Sequence, residues 1–136
     1  MSGWSVTPTV RVRDMGRALD FYREQLGFTV DRGGPDDNNC SLSRGDAHIM
    51  IEVPANLYSA EYNAAIESRL DSLSTIALYM EAPDLEEFHA RLRESGVKIV
   101  DPLADRPWGQ SEFTIEDLQG NWLTFWRVRA PGDGGS

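Results

Sequence analysis

A single cysteine, Cys40, leaves nothing for an internal disulfide to join and fits a reducing compartment. Its pattern is that of a small buried residue in a strand, with a reactive thiol as the alternative. Lysine is nearly absent: among 13 basic residues only Lys98 is not arginine, and 22 acidic residues bring the formal net charge to -9 and the pI to about 4.6. A chain without basic stripes is poorly suited to nucleic acid. The acidic excess favours a cationic ligand, or simply keeps the surface solvated. No apolar run approaches the ~20 residues that span a bilayer, and Met1–Pro8 carries no secretory pattern. No membrane partner and a cytoplasmic location are therefore expected.

What is present is organised around residues 106–128, RPWGQSEFTIEDLQGNWLTFWRV. This stretch reads as a Pro-Trp-Gly loop, a strand, a tight turn at Gln119-Gly120-Asn121 and a second strand. In the second strand Trp122, Thr124 and Trp126 point one way, while Leu123, Phe125 and Val128 point mostly the other. Such a strand has something to cover on both sides: a helix on the aliphatic side and a ligand cleft on the aromatic side.

The rest of the chain repeats one order. Val6–Arg13 alternates as a half-buried strand, and Pro8 places it at an edge or a crossing point. Asp14 caps a helix over 15–26 that stops at Gly27. A strand at Phe28–Arg32, a polar loop at Gly33–Asn39 and a hairpin of Cys40–Ser43 with Ala47–Val53 complete the first unit. A connector with a helix over 58–71 follows. Then Thr75–Glu81 reads as a strand, Asp84 with Glu87 as a capping box, and 85–95 as a helix ending at Gly96. Val97–Val100 is a strand, 101–110 a loop, and 111–128 the closing hairpin. Strand, helix and three strands thus occur twice, an internal duplication. The expected divisions are a first βαβββ module at 1–53, the connector at 54–74, a second module at 75–129 and a disordered tail at 130–136. The expected class is α+β: two βαβββ modules whose mixed four-stranded sheets curl into a cleft, with the helices on the outer face.

This order, together with Val12-Arg13-Asp14 leading to Phe21-Tyr22 and Leu26-Gly27-Phe28, resembles the vicinal oxygen chelate superfamily of glyoxalases, bleomycin-resistance proteins and extradiol dioxygenases. Pro107-Trp108-Gly109, then Phe113 and Asp117 through Gly120-Asn121, is most similar to the bleomycin-resistance branch. Asp117-Leu118 departs from the usual Asp-Pro. The resemblance implies a homodimer that holds an aromatic, antibiotic-like molecule non-covalently, without a cofactor.

The resemblance also says where metal-using relatives keep their ligands: on Thr7, Glu52, Thr75 and Thr124 of this chain. Threonine is a poor ligand for a divalent ion, and a catalytic site wants about three His or carboxylate groups. Of the two histidines, His48 shares the Glu52 face and His89 falls in the helix 85–95, at its surface or rim. No metal site is therefore expected.

Strand alternation sets Thr7, His48, Met50, Glu52, Thr75, Tyr79, Trp122, Thr124 and Trp126 on cleft faces, with Trp108 entering from its loop. Tryptophan offers flat stacking surfaces and attracts cations. Each residue also has a plainer role: Trp108 as a loop anchor, Trp122 and Trp126 as interface packing, and the threonines as strand formers. Two other functions stay open. One is a metal-independent lyase or isomerase with Glu52 as general base and His48 assisting. The other is a metalloenzyme using Glu52, His48 and further ligands.

Overall fold

The alternation of valine with threonine and arginine near the start, and of tryptophan with leucine and phenylalanine near the end, is realised as two sheets. The computed structural model describes residues 6–54, 59–71 and 77–129. Its eight strands and three α-helices fall into two compact units that divide after Leu73.

In the first unit β1 (Thr9–Arg11), β2 (Thr29–Arg32), β3 (Asn39–Arg44) and β4 (Ala47–Glu52) form a sheet in the order β1-β4-β3-β2. β1 runs parallel to β4 and the other pairs are antiparallel. Pro8 sits just before the edge strand β1, where its missing N–H costs nothing, and its carbonyl accepts from the Met50 amide. The buried face carries Val10, Cys40, Leu42, Ile49 and Ile51. The helix packed there is α1 (Met15–Asp20), which contributes Met15, Ala18 and Leu19. Asp14 caps it by accepting from the Arg17 amide, as its residue type predicts.

The helix expected over 15–26 does not continue regularly. Phe21–Gln25 forms a π-helical turn, in which the Leu26 amide bonds to the Phe21 carbonyl. Gly27, at φ 75°, ends it, and the Arg44 guanidinium caps the Leu26 carbonyl at 2.6 Å. α2 (Ala60–Leu70) lies within the span expected for the connector helix, and Tyr58 is outside the described residues.

The second unit repeats the plan. β5 (Ala77–Glu81), β6 (Ile99–Asp105), β7 (Gln110–Glu116) and β8 (Trp122–Val128) pair in the order β5-β8-β7-β6, again with one parallel pair. α3 (Leu85–Glu94) covers one face with Leu85, Phe88 and Leu92, against Phe113, Ile115, Leu123 and Phe125. Phe88 meets Phe125 edge-on at 4.9 Å between ring centres.

Several expectations need correction. β6 extends through Asp105, so most of the segment read as the 101–110 loop is strand. Its two register shifts and edge position let it accept Pro102. Asp84 does head α3, but its side chain makes no cap bond, so the capping box is not formed. The closing turn is also longer than Gln119-Gly120-Asn121. Glu116 pairs with Trp122, and the loop between them is organised by buried Asp117. One Asp117 oxygen accepts from the Gln119 and Asn121 amides, and the other accepts from the Asn121 side chain. Gly120 alone in this loop takes a positive φ. Val128 has the parity of Trp126, not of Phe125, and is 62% exposed. The 130–136 tail lies outside the described residues.

Candidate functional site

In each unit the sheet face away from its helix is polar or aromatic, and the two such faces differ in chemistry. On the first sheet this face carries Thr9, Arg11, Met50 and Glu52, with Asn39 beside Glu52 in register. Glu52 is buried, but both of its oxygens are engaged: Oε1 with Arg11 Nε at 3.4 Å, and Oε2 with the Asn39 amide at 3.2 Å. Arg11 also donates to the Tyr62 hydroxyl of α2 at 3.0 Å. His48 lies four residues earlier on the same strand, exposed, and so about 13 Å from Glu52 by strand rise. That spacing keeps the two from sharing one proton or one metal ion. Thr7 precedes β1 and is exposed, while Met50 is half-buried.

The corresponding face of the second sheet is aromatic. β8 presents Trp122, Thr124 and Trp126; β5 presents Tyr79 in register with Thr124. Tyr79 stacks on Trp126, with ring centres 5.9 Å apart and planes at 21°. The Tyr79 hydroxyl reaches across to β7 and donates to Gln110 Oε1 at 2.9 Å. Thr124 shares a 2.7 Å hydrogen bond with Thr114 on the neighbouring strand. Trp108, on the turn before β7, donates its indole N–H to Glu112 at 2.9 Å, and Trp122 donates its own to Glu116 at 3.2 Å. These bonds fix the indoles without covering them: Trp108 stays 63%, Tyr79 55% and Trp122 48% exposed. Exposed aromatic area tied down by its polar edge suits a ligand surface. Thr75 falls outside the described residues.

Two residues on this face, Glu112 and Glu116, were not anticipated. Period-two alternation did carry the signal: buried Phe113 and Ile115 force Glu112, Thr114 and Glu116 onto the opposite side. Glu112 is 7% exposed and lies in register with Trp126. Desolvation, then the Glu112 carboxylate, push the Tyr79 hydroxyl above its usual range, against the opposing effects of Trp108 and Arg106. The phenol therefore stays a donor.

Glu116 is shifted the other way. Its hydrogen bond from Lys98, then that from Trp122, hold its carboxyl below the ordinary 4.5. A depressed folded-state value means stability that is present above the unfolded carboxylate range and lost as pH falls through the folded one. The Lys98 partner is 69% exposed, so the contribution stays under ~1 kcal/mol. Glu116→Gln is expected to lower the urea midpoint near neutral pH, with the gap to wild type closing as both are titrated to about pH 3. A gap that persists unchanged in acid would show that the ion pair is not its source.

His89 is half-buried on α3: its ring packs edge-on against Phe113 at 4.9 Å, and burial, then Arg93, lower its pKa. Burial, then Asp37, raise that of Cys40, in keeping with an inert thiol. Among the described residues no group of three His, Cys, Asp or Glu side chains could hold a metal ion. At the positions where related enzymes keep ligands, Thr124 is bonded to Thr114 and Glu52 to Arg11 and Asn39.

Each unit repeats the same strand order, with one sheet face under a helix and the other left to aromatic and polar side chains. The chain belongs to the Glyoxalase/Bleomycin resistance protein/Dioxygenase superfamily, whose profile matches residues 5–125. Solved structures share the fold. TioX from Micromonospora sp. ML1 is 22% identical with a TM-score of 0.65, covering 92% of this chain and 100% of that one. A bleomycin resistance determinant encoded on the transposon Tn5 is 20% identical, TM-score 0.66, covering 93% and 99%. A superfamily member from Sphaerobacter thermophilus DSM 20745 is 22% identical, TM-score 0.67, covering 91% and 96%. No curated protein matches. No described helix is long and apolar enough to cross a membrane.

Proposed function

We propose that this chain is a non-catalytic binding protein that sequesters an aromatic, antibiotic-like small molecule on the open face of its second sheet, without a metal. The observation that supports this most is the set of tethered but exposed rings, Trp108, Trp122 and Tyr79, with Trp126 stacked beneath Tyr79. Rings whose polar edges are already bonded offer their faces at little entropic cost. The likeness in fold to a bleomycin resistance determinant agrees with this reading. Assembly as a homodimer belongs to the same reading, as does a cytoplasmic site of action, and native mass spectrometry of the purified chain reports the assembly. Catalysis with Glu52 as general base has less support, because Arg11 and Asn39 occupy the carboxylate.

The test is intrinsic tryptophan fluorescence, titrated with planar polycyclic antibiotics, bleomycin-like and mitomycin-like compounds included. Saturable quenching at micromolar concentration by at least one planar compound is expected. A panel that leaves emission unchanged would remove the proposal.

A further inference from the structure

The two sheets each bury one glutamate on the face away from the helix, and the two glutamates are compensated differently. Glu52, 7% exposed, has the Arg11 guanidinium beside it. Glu112, also 7% exposed, has no cation at ion-pair distance among the described residues; its carboxylate accepts from the Trp108 indole and lies beside the Tyr79 hydroxyl. Arg106, the basic side chain whose charge is felt at Tyr79, is bound to Asp101. A desolvated carboxylate held by neutral donors alone is poorly compensated, and a cation that reaches it recovers a strong charge-assisted hydrogen bond. Glu112 also sits in register with Trp126 and takes the Trp108 N–H, so its neighbours on this face are aromatic.

Resting on the binding function proposed above, we infer that Glu112 determines which ligand is held: a planar aromatic cation, whose protonated amine or guanidinium bonds to the Glu112 carboxylate while its ring lies against Tyr79 and Trp108. The ring faces supply the sequence-tolerant part of the affinity and the carboxylate supplies the choice between charged and neutral compounds. A chain with a net charge of -9 also draws such a cation toward it.

The experiment is calorimetric titration of the full chain with two probes of the same ring system, 9-aminoacridine, which is protonated at neutral pH, and acridine, which is not. Wild type is expected to bind the cation at least tenfold more tightly. Glu112→Gln is expected to abolish that preference, and Glu112→Asp, which keeps the charge, to retain most of it. Glu94→Gln, on the exposed end of α3, leaves the preference intact. Equal affinity of the wild type for both probes overturns the assignment whether or not any variant folds, and so does a preference that survives Glu112→Gln. If acridine binds and only the preference is missing, the aromatic-binding function stands and the role of Glu112 falls. If neither probe binds, both fall.

Discussion

Phe113→Ala is expected to lower the stability of the chain by about 3–5 kcal/mol, read as a fall in the urea midpoint with the slope of the transition unchanged. Phe113 has no exposed surface. It sits on a central strand, with Phe125 at 5.5 Å across the pair, Phe88 of α3 at 6.0 Å and His89 at 4.9 Å. Truncation removes contacts to all three rings at once, and the cavity cannot be filled from β6 without breaking its pairing with β7. Val128→Ala is the contrasting case. Its side chain is 62% exposed, so the change should stay within ~0.5 kcal/mol of wild type. A loss below about 1.5 kcal/mol at Phe113 would mean that the aromatic cluster is not what joins α3 to its sheet.

The same cluster explains why so much of the second unit could be read from its residues. Trp122-Leu123-Thr124-Phe125-Trp126 alternates without interruption, and so do the faces of β8. Tyr79 followed from the same rule on β5, where Leu78 and Met80 turn toward the core. Glu112 is set on the same face by the alternation of the partner strand β7, where Phe113 and Ile115 turn inward. The rule failed at Val128, where extending the aliphatic set to the strand end broke the two-residue period. Where side chains bond to backbone, spacing says little. Asp117 widens a turn that Gly120-Asn121 would close in two residues, because its carboxylate satisfies three donors within the loop. The π-helical turn at Phe21–Gln25 has no residue signature either; it arises as the chain leaves α1 for Gly27 and the Arg44 cap. On the first sheet alternation set Glu52 on the open face, but a strand pattern could not reveal that Arg11 and Asn39 would occupy it.

Trp126→Ala is expected to weaken binding of a planar polycyclic ligand by roughly tenfold or more, about 1.4 kcal/mol, measured by calorimetry because the substitution itself alters the emission. Trp126 backs Tyr79 at 5.9 Å, nearly parallel, and Tyr79 is kept in place at its other end by Gln110. Without the indole, Tyr79 loses its support and gains rotamer freedom, so a ligand stacking on its outer face must restore that order at its own expense. Trp126→Phe, which keeps a flat ring beneath Tyr79, should recover most of the loss, since offset stacking needs area more than the indole N–H. The effect should be much the same for charged and neutral ring systems, because Trp126 supplies area and Glu112 supplies charge. A Trp126→Ala protein that binds as tightly as wild type, with its thermal midpoint unchanged, would move the ligand off this face altogether. A loss confined to cationic ligands would instead assign Trp126 to cation recognition and take the shelf role from it.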